Sequence, residues 1–316
     1  KKYGHDMKNL YRYLMSKGVS LRGVVFDTML AAYIVNPSRS TYTVSELSSE
    51  YMSRAINPIE ELTGRGKSSR TYAQIEDEDI INAACTHVQA VCGIRSELER
   101  LMGENGQDEL YYKIELPLVE VLADMEYRGF KVNIDGLKAF LVDLEEKIDR
   151  VTAQIYNLAG EEFNINSPKQ LGAILFEKLG LPVLKKTKTG YSTSAEVLEQ
   201  LEQKHEIAAR IMEFRQIVKL KSTYVEGLIN MVDVSTGRVY SSFNQTVTAT
   251  GRISSTEPNL QNIPVKLEMG REIRKVFVPE NQDFILVDAD YSQIELRVLA
   301  HISGDENMIG AFKNDE

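Results

Sequence analysis

Phe284-Ile-Leu-Val-Asp-Ala-Asp290-Tyr-Ser-Gln-Ile-Glu295-Leu-Arg297 sets an apolar run against a series of acids. The run Phe284 to Val287 predicts a buried β-strand, with Asp288 and Asp290 placed where it meets solvent. From Gln293 to Ile302 apolar residues recur at helical spacing, so an amphipathic helix follows, with Glu295 in its first turn. In a strand, positions 288 and 290 face one side, so both carboxylates could meet one site. Carboxylates beside a backbone carbonyl suit a hard cation such as Mg²⁺, which commonly completes its shell with water and substrate phosphates. On spacing alone, a solvated strand end or a helix cap is the alternative.

Working outward, Thr250-Gly-Arg-Ile-Ser-Ser-Thr-Glu-Pro-Asn-Leu-Gln-Asn-Ile-Pro264 reads as a polar loop over 251–264. Gly251 permits close backbone approach. Arg252, Ser254, Ser255, Asn259, Gln261 and Asn262 are the kinds of side chain that reach minor-groove acceptors and sugar-phosphate oxygens. A well-hydrogen-bonded connector would use the same groups. Before the loop, Arg238 to Phe243 and Gln245 to Thr250 are two β-prone runs joined tightly.

Residues 108–230 read as helical. Leu116, Val119, Leu122 and Met125 keep helical spacing until Gly129. Asp135 can cap a long helix in which Leu137, Phe140, Leu141, Leu144, Ile148, Val151, Ile155 and Leu158 form an apolar stripe, the mark of a packed, nearly coiled-coil arm. Ser167 and Pro168 are N-cap and first residue of another helix, which Gly180 ends. Lys185 to Tyr191 is a basic, flexible loop. Ser194 caps a further helix, and a long one runs from His205 to Met231. Residues 1–105 read as mixed α/β: a short strand and helix over 21–34, an exposed loop over 57–73, and a helix from Asp79 to Leu101.

The whole chain carries a net charge of −9, which argues against non-specific coating of nucleic acid. Local charge differs. Lys169, Lys178, Lys185, Lys186 and Lys188 face only Glu177 within 164–191, and Arg210, Arg215, Lys219 and Lys221 face only Glu213 within 207–224. On charge alone, solvated helix faces explain both stretches. No segment approaches the roughly 20 apolar residues of a membrane span. Cys85 and Cys92 lie on one helix face, too far apart to bridge, and read as reduced, half-buried thiols of a cytoplasmic protein. The opening Lys1-Lys-Tyr-Gly-His-Asp is neither an initiator nor a signal peptide, so the chain reads as the interior of a longer protein.

Asp290-Tyr-Ser-Gln-Ile-Glu-Leu-Arg297, preceded by Thr250 to Pro264, resembles the bacterial DNA polymerase I family, family A. Phe163-Asn-Ile-Asn-Ser-Pro-Lys-Gln-Leu171, Leu184-Lys-Lys-Thr-Lys-Thr-Gly-Tyr-Ser-Thr193 and Lys219-Leu-Lys-Ser-Thr-Tyr224 match in the family's order, so the resemblance covers essentially the whole chain. It implies a mixed α+β, mostly helical fold in three parts. These are the C-terminal part of a ribonuclease-H-like 3′–5′ exonuclease domain over 1–107, a palm-entry helix and helical thumb over 108–232, and the first part of an incomplete antiparallel-sheet palm over 233–316.

The implied activity is template-directed addition of dNTPs to a primer 3′-OH by two-metal phosphoryl transfer, in replication and repair, by a monomer in the bacterial cytoplasm at the nucleoid. Asp290 and the carbonyl of Tyr291 would bind Mg²⁺, and Glu295 would crowd the sugar 2′ position. Arg252, Asn259, Gln261 and Asn262 would lie along the minor groove of the primer-template. Lys185, Lys186 and Lys188 would stand at the thumb tip. Lys219, Lys221, Ser222 and Thr223 would follow the backbone, turning the basic stretches into a phosphate track. Asp288 becomes a structural or electrostatic neighbour.

Two departures qualify this. The family's fingers helix and His-Asp-Glu turn do not occur before Glu316, so residues 1–316 alone are expected to bind primer-template without extending it, and a non-catalytic DNA-binding module is the alternative description. The exonuclease acids are also replaced: Leu10 stands at a metal-binding Asp position, and Asn82 and Thr86 stand where the last exonuclease motif has Tyr and Asp. Leu cannot ligate Mg²⁺ and Thr is a poor substitute for carboxylate, so exonuclease activity is expected to be absent. The acidic run 76–79 reads as a solvated loop, not a displaced site.

Overall fold

Val24-Val-Phe-Asp27 is β-branched and aromatic until it meets an acid, and the chain turns there. The computed structural model describes residues 1–64, 69–188, 190–263 and 268–314. Strand Val24–Asp27 runs parallel to Lys2–Gly4. Asp27 then caps helix Thr28–Val35, accepting from the backbone N–H of Met29 at 2.9 Å and Leu30 at 3.4 Å. The same carboxylate accepts from the N–H groups of Asp6 at 3.1 Å and Met7 at 2.8 Å, where helix Met7–Ser16 begins. One buried acid therefore serves two helix N-termini.

Burial pushes Asp27 up to about 6 against those N–H groups. Burial acts oppositely on neighbouring His5, pulling it down to about 4, with Nδ1 2.9 Å from Thr28 Oγ1. The two groups give opposite pH slopes. The Asp27 contribution is present at low pH and lost as pH rises through about 6. The His5 contribution is present above about 6.5, the ordinary pKa of an unfolded-chain His, and lost as pH falls through about 4. Relative to wild type, His5→Gln should therefore gain up to about 3 kcal/mol between pH 7 and pH 4. Urea unfolding at several pH values checks this; parallel pH profiles for the two proteins would rule it out.

Helix Asp77–Glu104 is longer at both ends than the sequence pattern predicts. Its first turn contains Asp77, Glu78 and Asp79, so most of the acidic run is not a loop: these carboxylates sit at the positive end of the helix dipole. Ala90, Ile94, Leu98 and Met102 pack with Phe26, Leu30 and Leu47 in one apolar cluster. Tyr111 joins it, its hydroxyl accepting from the Asp27 N–H at 2.7 Å and donating to the Asp27 carbonyl at 3.1 Å. Cys85 and Cys92 are free, as expected, but exposed. The 57–73 stretch contains the single turns Ile59–Leu62 and Tyr72–Gln74, and its residues 65–68 lie outside the described residues.

A second apolar cluster lies around helix Ile134–Ala159. Leu137, Leu144, Val151 and Ile155 are buried in it against helix Glu206–Lys219, while Phe140, Leu141, Ile148 and Leu158 are only partly buried. Asn133, not Asp135, caps the first helix, its Oδ1 accepting from the Gly136 N–H at 2.9 Å; Asp135 occupies the first turn. Ser167 and Pro168 start helix Pro168–Gly172 as expected. The expected long helix 205–231 forms over 206–231, as Glu206–Lys219, a π-helical stretch Leu220–Glu226, and Gly227–Met231. Lys186–Thr187 and Gly190–Tyr191 pair as a small hairpin where a flexible loop was expected; Thr189 lies outside the described residues.

Phe130–Lys131 pairs antiparallel with Arg238–Val239. Gly129 before it has φ 60°, and a Cβ there would stand 2.6 Å from the Val239 carbonyl oxygen, so only glycine fits. Ser242–Asn244 pairs with Ser254–Thr256, not with the β-prone run Gln245 to Thr250. That run forms bends and a turn, with the Gln245 side chain and the Thr248 carbonyl bonded to Glu115 and Tyr33. The strand partner therefore comes from within the predicted loop.

The chain divides into two compact units, Lys1–Phe277 and Val278–Glu316; the expected boundaries at 107/108 and 232/233 both fall inside the larger one. In the smaller unit, helix Ile294–Ser303 forms as expected and packs with Glu306–Lys313, and the Arg297 guanidinium lies 4.7 Å from the Phe312 ring centroid. Phe284 to Val287 is not a buried strand: Ile285 is 81% and Val287 80% exposed. A strand needs a ladder partner, and none of the described residues supplies one here. The architecture is mixed and mostly helical with short two-stranded sheets. Among the described residues, no helix is long and apolar enough to cross a membrane.

Candidate nucleic-acid interface

Over 251–263 the expected loop is shaped by its own amides and hydroxyls; Pro264 lies outside the described residues. Gln261 Oε1 accepts from the Ser255 N–H at 3.2 Å and its Nε2 donates to the Ile253 carbonyl at 2.7 Å. Asn259 Oδ1 accepts from the Gln261 N–H at 3.1 Å and caps the turn Leu260–Asn262. Buried Ser255 Oγ accepts from the Leu260 N–H at 3.1 Å and lies 2.8 Å from Ser241 Oγ. Gln261 thus serves the loop's own backbone, while Arg252, Asn259 and Asn262 are exposed.

This loop faces the helical arm across a groove of roughly 530 Å³. Lys219, Thr223 and Tyr224 line one wall and Asn259 and Asn262 the other, with Glu257 the acid among the lining residues. Four positions expected on DNA are brought together here. The π-helical turn Leu220–Glu226 adds a residue per turn and so re-aims side chains at this wall. Tyr224 and Met231 also line the groove and were not singled out from sequence; neither position carries a local signal that distinguishes it from core.

Four other cations of the basic stretches have hydrogen-bond or ion-pair partners. Lys221 Nζ lies 2.9 Å from Glu145 and 3.6 Å from Glu226, and the Glu145 contact raises its pKa. Arg210 bridges Glu206 and Glu213, and Lys178 meets Glu161 at 3.0 Å. Arg215 donates to the Thr193 carbonyl and hydroxyl, tying arm to hairpin. The Ser222 hydroxyl donates to the Val218 carbonyl at 2.9 Å. Lys219 is exposed, as are Lys185, Lys186 and Lys188 on the hairpin, with Lys186 Nζ 5.8 Å from the Tyr191 ring.

Asp288, Asp290, Tyr291 and Glu295 belong to the smaller unit and are exposed. Glu295 lies in the first turn of helix Ile294–Ser303, where the dipole favours an anion. Asp290 and the adjacent Tyr291 carbonyl are hard oxygen donors, which fits Mg²⁺ or a similar cation in kind. On their own they would supply only part of a shell: among the described residues, no three His, Cys, Asp or Glu side chains converge to hold a metal. Leu10 is 40% exposed on helix Met7–Ser16. Asn82 and Thr86 sit one turn apart, the Thr86 hydroxyl donating to the Asn82 carbonyl at 2.8 Å. None of the three offers a carboxylate.

A buried charge cluster went unrecognised in the sequence. Glu126, 2% exposed, accepts at Oε1 from Lys8 Nζ and from the Phe243 N–H, both at 2.6 Å. Its Oε2 faces Arg12 Nη1 at 3.0 Å, an ion pair without hydrogen-bond geometry. The partners are more than 100 positions apart, so no spacing rule links them.

The family described as DNA polymerase family A matches residues 134–316, and that described as DNA polymerase I, ribonuclease H-like domain, matches residues 1–92. The chain is 48% identical over 316 residues to DNA polymerase I of Bacillus subtilis (strain 168), covering 100% of this chain and 36% of that protein. It is 48% identical over 313 residues to DNA polymerase I of Geobacillus stearothermophilus, covering 99% of this chain and 35% of that one. A solved structure, the POL domain of Pol1 from M. smegmatis in complex with DNA primer-template and dNTP, is similar with a TM-score of 0.84 at 36% identity, over 99% of this chain and 51% of that chain. The chain spans about a third of the length of the curated relatives it matches. Family A DNA polymerases generally use divalent metal ions, in keeping with the oxygen donors at 290 and 291. Matched over more than half its length by that family's model, the chain belongs to DNA polymerase family A.

Proposed function

We propose that this chain is the primer-template-gripping part of a DNA-directed DNA polymerase that works in replication and repair. The groove that sets Lys219 and Thr223 opposite Asn259 and Asn262 carries the reading. A cation and a hydroxyl on one wall match phosphate oxygens, and amides on the other match minor-groove acceptors, which sit at similar places in every correct base pair. Such a groove holds a duplex without reading its sequence. Arg252 lies in the same loop and would reach the edge of the terminal pair, while Lys185, Lys186 and Lys188 would meet the backbone further along.

Asp290 and the Tyr291 carbonyl would hold Mg²⁺, which supplies a lowered pKa for the primer 3′-OH and a grip on the incoming triphosphate. Glu295, at the start of its helix, would crowd a ribose 2′-OH and so favour deoxyribose. Leu10, Asn82 and Thr86 leave the ribonuclease-H-like part without nuclease acids, so no nucleotides should be released from a single-stranded 3′ end.

Primer-template binding across a salt series tests the grip. Log affinity should fall linearly with log salt, and Lys219→Ala should reduce the slope by about 1. Lys221→Ala should change it much less, because Glu145 and Glu226 already neutralise that cation. Binding indifferent to salt would end the phosphate-track reading.

A further inference from the structure

Four side chains outside the DNA-facing set grip one short segment. Lys8 Nζ donates to the Phe243 carbonyl and Glu126 accepts from the Phe243 N–H, both at 2.6 Å. Two positions on, Gln245 Nε2 donates to the Glu115 carbonyl at 3.1 Å and to Glu115 Oε2 at 2.7 Å. At Thr248 the Tyr33 hydroxyl donates to the backbone carbonyl at 2.8 Å. Thr248 in turn donates through Oγ1 to the Arg252 carbonyl at 2.7 Å. Lys8 and Tyr33 belong to the ribonuclease-H-like part, and Glu115 and Glu126 to the helical stretch that leaves it.

Within Gln245 to Thr250 the tethers hold the Gln245 side chain and the Thr248 carbonyl, which takes that carbonyl out of any strand ladder. They also fix both ends of the approach to Arg252. Ser242–Asn244 is pinned at Phe243, and the turn into Gly251 is pinned at Thr248. Buried and charge-assisted bonds of this kind are stiff, and a loop tied at both ends has few conformations to lose on binding.

We propose that the nuclease-deficient N-terminal part serves as a brace for the DNA-facing loop, with Lys8 and Tyr33 as positioning residues that set where Arg252, Asn259 and Asn262 stand. It takes no DNA contact itself. It acts by pre-organising 243–256, so its loss raises the cost of ordering that loop on the duplex. The proposal rests on the reading of the groove as a primer-template site.

The test compares wild type, Tyr33→Phe/Lys8→Met and Lys8→Arg for primer-template affinity at several salt concentrations, and for amide hydrogen exchange over 245–256. Folding is checked by melting temperature and circular dichroism, with Tyr33→Phe alone as the milder variant should the double variant melt early. The double variant should bind about 3- to 10-fold more weakly with an unchanged salt slope, since no phosphate contact is removed, and should exchange faster over 245–256. Lys8→Arg, which keeps the charge and donors, should restore most of the affinity. A folded double variant that binds and exchanges like wild type overturns the brace. If wild type itself fails to bind primer-template, the polymerase reading falls, and the exchange comparison alone then decides the brace: faster exchange upholds it, unchanged exchange removes it.

Discussion

Asp290→Ala should lower primer extension by more than about 100-fold when residues 1–316 are carried in a polymerase of full family length. Loss of even an outer-shell partner of a metal ligand costs roughly 10- to 100-fold, and a directly coordinating carboxylate should cost more. In the proposed site the Tyr291 carbonyl beside Asp290 would supply a second hard donor, and no three metal-binding side chains converge among the described residues to replace it. Primer-template affinity of the same variant should stay within a few-fold, because Asp290 belongs to the smaller unit and the groove residues to the larger. Separate measurement of extension rate and duplex binding checks both halves. Retained extension would remove Asp290 from the reaction. In the same assay, Glu295→Ala should admit ribonucleotides, and unchanged sugar discrimination would deny it the gate.

Glu126→Ala should destabilise the larger unit by about 3–5 kcal/mol, the usual cost of removing one partner of a buried ion pair. The Glu126 side chain is 1% exposed and Lys8 12%, so solvent cannot take over the lost contact, although Arg12, at 38%, can rehydrate. The substitution also orphans the Phe243 N–H. Glu126→Gln keeps an acceptor for that N–H and should cost less than Ala. Urea unfolding measures both, and a Glu126→Ala loss below about 1 kcal/mol would mean the cluster relaxes or is wet. The brace inference draws on the same cluster but tests Lys8 and Tyr33, whose loss leaves Glu126 in contact with Arg12 and Phe243.

Much of the local structure was legible because it is written at short range. The stripe from Leu137 to Ile155, the Ser167-Pro168 start and the helix after Gln293 each follow from a period or a cap within a few residues. The family motifs are equally local, and the proposal that Leu10, Asn82 and Thr86 replace nuclease acids needs only their identities. Errors came where two local signals competed. Asn133 won the cap from Asp135 because its side chain is placed to accept the Gly136 N–H. The acids at 77–79 looked like a solvated loop, yet a helix N-terminus stabilises such a run. The candidate site was legible as a set of residues but not as an arrangement.

The sequence by itself determined the residue chemistry: which loop carries the amides and arginine, where Leu, Asn and Thr stand at 10, 82 and 86, and where a carboxylate adjoins a carbonyl that we propose for a cation. Only the tertiary structure decided which of these groups are available and what holds them. Lys221, Arg210 and Arg215 look like Lys219 on charge alone, yet each is satisfied by a partner while Lys219 lines the groove. Gln245 to Thr250 and Phe284 to Val287 both have strand composition, and neither forms one. The physical reasons differ: in the basic stretches and at Thr248 a charge or a carbonyl takes the partner that folding brings near, which for Thr248 is Tyr33, more than 200 positions away, whereas Phe284 to Val287 has no ladder partner among the described residues.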